Sequence, residues 1–216
     1  ASNGKGSKPP KEVVGMAPGA AIYSYKLFPQ GDEFLGSVAI QQAYADGAQV
    51  INCSWYVPDP TPRDGTCETC RAVDNVWGLG IPVVKSAGNQ GPGSGTTTCP
   101  ANTRHVISVG ATDRAGTKIS RFSSRGPTAD GRPKPEVVSP GEGIWSCQAN
   151  KKYGPAPGGG KGTSFAAPHI AGLVALLLQA EPDLTPDEIL ARLKQKAKPI
   201  AGFGDNDQGA GLVSFA

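Results

Sequence analysis

Gly162-Thr163-Ser164-Phe165-Ala166-Ala167-Pro168-His169-Ile170-Ala171-Gly172 joins a glycine-rich loop to the longest apolar run of the chain, Ile170 to Leu178. The spacing predicts one long helix from about Thr163 to Ala180. A serine at the start of such a helix lies among backbone N–H groups that have no helical partner, with the positive end of the helix dipole beneath it. Gly162, Ala166 and Ala167 are small enough to let another backbone approach closely. Exposure, room for an acyl group and a donor for a developing oxyanion are what a nucleophilic hydroxyl needs. A serine that only caps a buried helix is the bland alternative, and a short motif by itself does not choose between them.

Upstream of that helix the chain alternates. Ala21–Phe28 is β-rich after the turn Ala17-Pro18-Gly19, and Val50–Trp55, Ile81–Ser86 and His105–Ala111 read as short, mostly apolar strands. Between them, Phe34–Asp46 has near-helical apolar spacing with Gly47 placed as a C-cap, and Thr66–Leu79 reads as a helix ended by Gly80 and Pro82. A last helix starts at Thr185-Pro186-Asp187-Glu188, with Thr185 as N-cap and proline at the first helical position. Strands alternating with helices predict an α/β fold, a mainly parallel doubly wound sheet flanked by helices, in one domain over residues 1–216. No internal repeat or linker interrupts it. Gly91–Thr98 and Gly154–Gly162 are low-complexity loops.

Ser86-Ala87-Gly88-Asn89 closes one of the predicted strands, the place where open α/β sheets hold ligands. An asparagine amide there is a neutral donor able to face an oxyanion, although asparagine is also an ordinary residue of left-handed turns.

Composition narrows the classes. The chain has 216 residues and is 38% hydrophobic, long enough to bury roughly 70% of its unfolded surface without metal or disulfide staples. Its net charge is +3, and no long basic run appears beyond Lys8–Lys11 and Lys151–Lys152, so nucleic-acid and anionic-membrane partners are not expected. No stretch approaches the roughly 20 apolar residues of a bilayer span. The 30 glycines and 20 prolines follow no Gly-X-Y period and indicate many tight turns. Ala1–Lys11 is polar, without a signal-peptide pattern or an initiator methionine, so the chain reads as a processed product or an excised piece. The five cysteines, Cys53, Cys67, Cys70, Cys99 and Cys147, are odd in number and leave at least one thiol unpaired. Cys67-x-x-Cys70 has no second pair at ligand spacing, so no metal site is expected from it.

Taken together, the Ser164 and Asn89 motifs resemble those of the subtilisin-like serine proteases, the subtilases. The resemblance extends through Gly15-Met16-Ala17-Pro18-Gly19-Ala20, Val50-Ile51-Asn52-Cys53-Ser54, Val106–Thr112, Phe122-Ser123-Ser124-Arg125-Gly126-Pro127, Pro135-Glu136-Val137-Val138-Ser139-Pro140-Gly141 and Gly209-Ala210-Gly211-Leu212-Val213, in family order from about residue 13 to 213. It implies a serine endopeptidase working through an acyl-enzyme on Ser164, with Asn89 and the Ser164 N–H as oxyanion donors. A polypeptide substrate would lie extended between Ser54-Trp55-Tyr56 and Ser86-Ala87-Gly88, with Thr98 and Thr163 also at the site. The resemblance also implies secretion. No cofactor is required for the chemistry, and structural calcium, common in the family, has only Asp205-Asn206-Asp207 as a weak candidate.

Departures from the family pattern are informative. Phe165 stands where methionine is common, and Trp55-Tyr56 where the substrate strand usually ends in glycine. Cys67, Cys70 and Cys99 are not general family features; Cys67 or Cys70 bridged to Cys99 would tie two pocket-side loops together. The largest departure is that the family's Asp and His motifs do not occur. Of the two histidines, His169 falls within the nucleophile motif, where the family uses it structurally, and nothing marks His105 as a base. The expectation is that the first part of the catalytic domain, carrying Asp and His, belongs to a segment or chain outside this one. The alternative is a non-catalytic scaffold that keeps the fold to bind a peptide or partner chain.

Overall fold

The structure, a computed structural model, describes residues 14–27, 33–56, 63–148 and 153–214. In chain order its elements are α1 (Glu33–Ala45), β1 (Ile51–Cys53), α2 (Glu68–Gly78), β2 (Val83–Ser86), β3 (Ile107–Thr112), β4 (Val137–Pro140), β5 (Trp145–Cys147), β6 (Tyr153–Pro155), α3 (Pro157–Gly160), α4 (Thr163–Ala180), α5 (Pro186–Lys196), β7 (Ala197–Lys198), α6 (Asp205–Gln208) and β8 (Leu212–Val213). The main sheet has the order β1-β2-β3-β4-β8-β7. Its first five strands run parallel, and β7 closes the edge antiparallel to β8. The hairpin β5–β6 stands apart.

Burial explains the layering. Successive side chains of a strand point to opposite faces. In β2, Val83 joins a cluster with Ile40, Ala43, Val73 and Val76, contributed by α1 and α2. Its neighbour Val84 joins the other cluster, with Ala166, Ile170 and Val174 of α4 and Ile189 and Leu193 of α5. The sheet is therefore covered on both faces, as the alternation of elements predicts. α4 is long and apolar enough to cross a membrane, yet it lies against β1, β2, β3 and β4. Its inner residue Gly172 is required by close approach: a Cβ there would sit 2.5 Å from the Cβ of Met16. The Gly15–Ala20 turn thus crosses the helix at the one position without a side chain. The α5 start forms as read, with Thr185 Oγ1 accepting from the Glu188 N–H and Glu188 Oε2 accepting from the Thr185 N–H.

Ala21–Leu27 is not a strand, contrary to its β-rich composition; Phe28 lies outside the described residues, as do Ala1–Lys11 and the lysines at 151 and 152. Strand propensity is realised only against a partner. β1 pairs with β2 alone, and among the described residues nothing pairs with Ala21–Leu27. Ile22 there is 89% exposed.

One charged pair sits inside this frame. Lys134 Nζ donates to Glu136 Oε1 at 2.5 Å and to the Thr103 carbonyl at 2.8 Å, while Glu136 Oε2 accepts from the Ser108 N–H of β3 at 2.9 Å. The side chains are 2% and 9% exposed. Burial holds the Lys134 amine below its usual range, opposed by the Glu136 charge. Removing one member of a buried pair strands the other charge. Glu136→Gln is expected to lower unfolding free energy by about 3–5 kcal/mol in urea titrations. A Lys134→Met, Glu136→Leu double variant is expected to lose much less.

Candidate active site

The site is built where β1 and β2 end. The chain leaves β1 into Ser54-Trp55-Tyr56 and β2 into Ala87-Gly88-Asn89, and α4 starts opposite both. This is the carboxyl end of a parallel sheet, where ligands of such folds gather. Ser54, Trp55, Tyr56, Ser86, Gly88, Asn89, Gln90, Thr98, Thr163 and Ser164 line one cleft of about 390 Å³.

The first turn of α4 is held by the strands. Gly162, with φ 155° and ψ 147°, takes a conformation that suits glycine and turns the chain into the helix. Asn89 Oδ1 accepts from both the N–H and the hydroxyl of Thr163 at 2.9 Å, and Thr163 Oγ1 accepts from the Gly88 N–H at 3.2 Å. Its oxygen is committed in this way, so Nδ2 is the remaining polar atom of the Asn89 amide, and Asn89 lines the cleft. The Ser164 N–H belongs to the same first turn, whose amides lack helical acceptors. Ser164 Oγ donates to the Ser54 carbonyl at 3.3 Å.

Pro168 supplies the matching constraint. It has no N–H, so the Ser164 carbonyl four residues back has no helical donor. Ser54 Oγ donates to that carbonyl at 3.0 Å. Serine and strand edge are thus tied in both directions.

Several predicted residues take places the sequence did not show. Ala87 is fully buried behind the cleft rather than lining it; its N–H donates to the Val109 carbonyl and its carbonyl accepts from the Thr98 N–H. Gln90 is a lining residue that the sequence analysis missed, and its place directly after Asn89 is the only signal that pointed to it. Trp55 turns its ring onto α1, where a Cβ on Gly36 would lie 2.5 Å from it. Gly88 has φ 115°, and a Cβ there would lie 2.7 Å from Ser124 Oγ and 2.9 Å from Thr98 Oγ1.

Neither histidine stands beside Ser164 as a base. His105 pairs with Asp74, Nδ1 to Oδ1 at 3.0 Å, but precedes β3 at the amino end of the sheet. Six strand residues at about 3.3 Å each separate that end from the cleft end. His169 Nδ1 donates to the Phe165 carbonyl at 2.7 Å, one turn into α4. The calcium candidate is also otherwise engaged: Asp207 accepts from Arg125 at 2.5 Å and from the Gly204 N–H at 2.8 Å.

The bridge expected from Cys67 or Cys70 to Cys99 is not formed; none of the five cysteines is in a disulfide. The structure nevertheless brings Cys67, Cys70 and Cys99 together, with every sulfur within 4.8 Å of the others. The third sulfur comes from far along the chain, which spacing did not reveal. The hydrogen bond with Cys70, together with burial, pushes the Cys67 thiol up to about 12.

A parallel α/β sheet with a serine at the start of its central helix, an asparagine amide beside it and an open cleft at the strand ends defines a serine-hydrolase-like scaffold. The chain matches the subtilase family over residues 1–212, and it belongs to that family. Serine protease AprX of Bacillus subtilis (strain 168) is 39% identical over 160 residues, 67% of this chain and 36% of that one. Subtilisin DY of Bacillus licheniformis is 33% identical over 208 residues, 94% of this chain and 69% of that one. The S41 psychrophilic protease superposes with a TM-score of 0.77 at 25% identity, over 93% of this chain and 70% of its own. The chain thus spans only part of each relative's length. The subtilisin-type fold and serine-protease family are those expected from the sequence.

The tie between Ser54 and Ser164 is open to test by double substitution. Ser54→Ala leaves a carbonyl without its donor and is expected to cost about 1–3 kcal/mol of stability. In a Pro168→Ala background the restored N–H takes over that carbonyl, and the same change is expected to cost clearly less. Equal costs in both backgrounds would separate Ser54 from the Ser164 carbonyl.

Proposed function

We propose that this chain supplies the nucleophile and oxyanion-binding part of a secreted subtilisin-type serine endopeptidase. Ser164 Oγ attacks the scissile carbonyl carbon, and its proton passes to a histidine base. The oxyanion is received by Asn89 Nδ2 and the Ser164 N–H. Collapse breaks the C–N bond, the histidine returns the proton to the leaving amine, and water then releases the acyl group from Ser164. The substrate is a polypeptide laid between Ser54-Trp55-Tyr56 and Ser86–Gly88 by main-chain hydrogen bonds. The base and its aspartate come from a segment outside these 216 residues, because His105 stands at the other end of the sheet and His169 is engaged inside α4.

The observation that supports this reading is the commitment of Asn89 Oδ1 to Thr163, which leaves the amide nitrogen as the donor of a residue that lines the cleft with Ser164. Polar Ser86 and Thr98 together with Gly88 form the wall facing the substrate side chain.

Native mass spectrometry of the purified protein, repeated after denaturation, tests the assembly. A bound polypeptide carrying the Asp and His motifs, with fluorophosphonate labelling of Ser164, is the expected result. A chain that is alone, soluble and never labelled overturns the catalytic reading and leaves a peptide-binding scaffold. In the assembled enzyme, Asn89→Ala is expected to lower kcat by about 10²–10³ with little change in KM. Ser164→Ala is expected to abolish labelling.

A further inference from the structure

The three thiols that the protease reading leaves unused form a pocket of their own. Cys67 caps the amino end of α2, Cys70 lies one turn in, and Cys99 arrives from the loop that follows β2. All three are buried. The Cys70 N–H donates to Cys67 Sγ at 3.4 Å, and the Cys67 and Cys70 sulfurs are 3.1 Å apart.

We infer that Cys67, Cys70 and Cys99 form a binding site for a thiophilic d¹⁰ cation of the zinc(II) class. Three thiols lose their protons to solvent and bind one dication, leaving a net charge of minus one. Tetrahedral zinc–thiolate geometry sets sulfurs about 3.8 Å apart. Separations from 3.1 Å to at most 4.8 Å reach that by side-chain adjustment alone. The fourth position falls to water or to a neighbouring oxygen. A bound ion would join the α2 start to the Thr98–Cys99 segment, the back wall of the substrate cleft.

The site does not depend on the protease reading, and its test does not use activity. The chain, with whatever segment accompanies it, is reduced, stripped with chelator and titrated with Cd(II) without oxygen. The expected result is uptake of a single equivalent with a thiolate-to-metal absorption band in the near ultraviolet, displaced by Zn(II). Uptake should be lost in Cys70→Ser and Cys99→Ser and kept in Cys147→Ser, whose thiol is exposed. Where a serine variant does not fold, alkylation of the wild-type protein decides: Zn(II) should protect the peptides of Cys67, Cys70 and Cys99. No uptake, no protection, or a disulfide among the three in the isolated protein with no metal binding after reduction would overturn the inference.

Discussion

Pro168 has no amide hydrogen, and the carbonyl this leaves without a helical donor is that of Ser164, which Ser54 takes up across the cleft. That exchange of a helical bond for a bond to the sheet fixes the serine. The opposite side of the same turn is fixed by Asn89 through Thr163 and by the Gly88 N–H. Because α4 also packs on four strands, any displacement of its first turn would have to move the sheet core as well. The geometry of the cleft is therefore a property of the whole domain and not of the loops alone.

The two faces of β2 carry different chemistry as a direct result of strand alternation. Ser86 looks into the cleft, while Lys85, one residue earlier, is buried on the face shared with α2 and contacts the cleft only through Ser86. Thr98 and Cys99 repeat the division one step apart: the threonine lines the cleft, and the cysteine joins the thiol pocket. Substrate wall and thiol pocket are thus two sides of one thin partition.

What the sequence shows and what it hides follow a physical rule. α4 is legible end to end, because a glycine loop, a long apolar run and a polar stop coincide. α5 is legible because its capping box is a local interaction. Elements that exist only through distant partners are not: β4 carries a proline, β8 has two residues, and neither has a periodic pattern of its own. Ala21–Leu27 fails in the opposite sense, since its β-rich residues find no strand beside them. At the site, Ser164 and Asn89 announce themselves by motif, whereas the burial of Ala87, the position of Gln90 and the arrival of Cys99 beside Cys67 and Cys70 are set by long-range packing.

Trp55 belongs to both sides of that partition. Its ring rests on Gly36 of α1, it lines the cleft, and it packs against the cluster of Cys67, Cys70 and Cys99. Of the three tryptophans, Trp77 is buried and hydrogen-bonded to Asp187, and Trp145 lies in the separate hairpin. One indole is therefore an intrinsic optical reporter placed between two chambers. A change in the cleft or at the sulfurs reaches that one indole by direct contact.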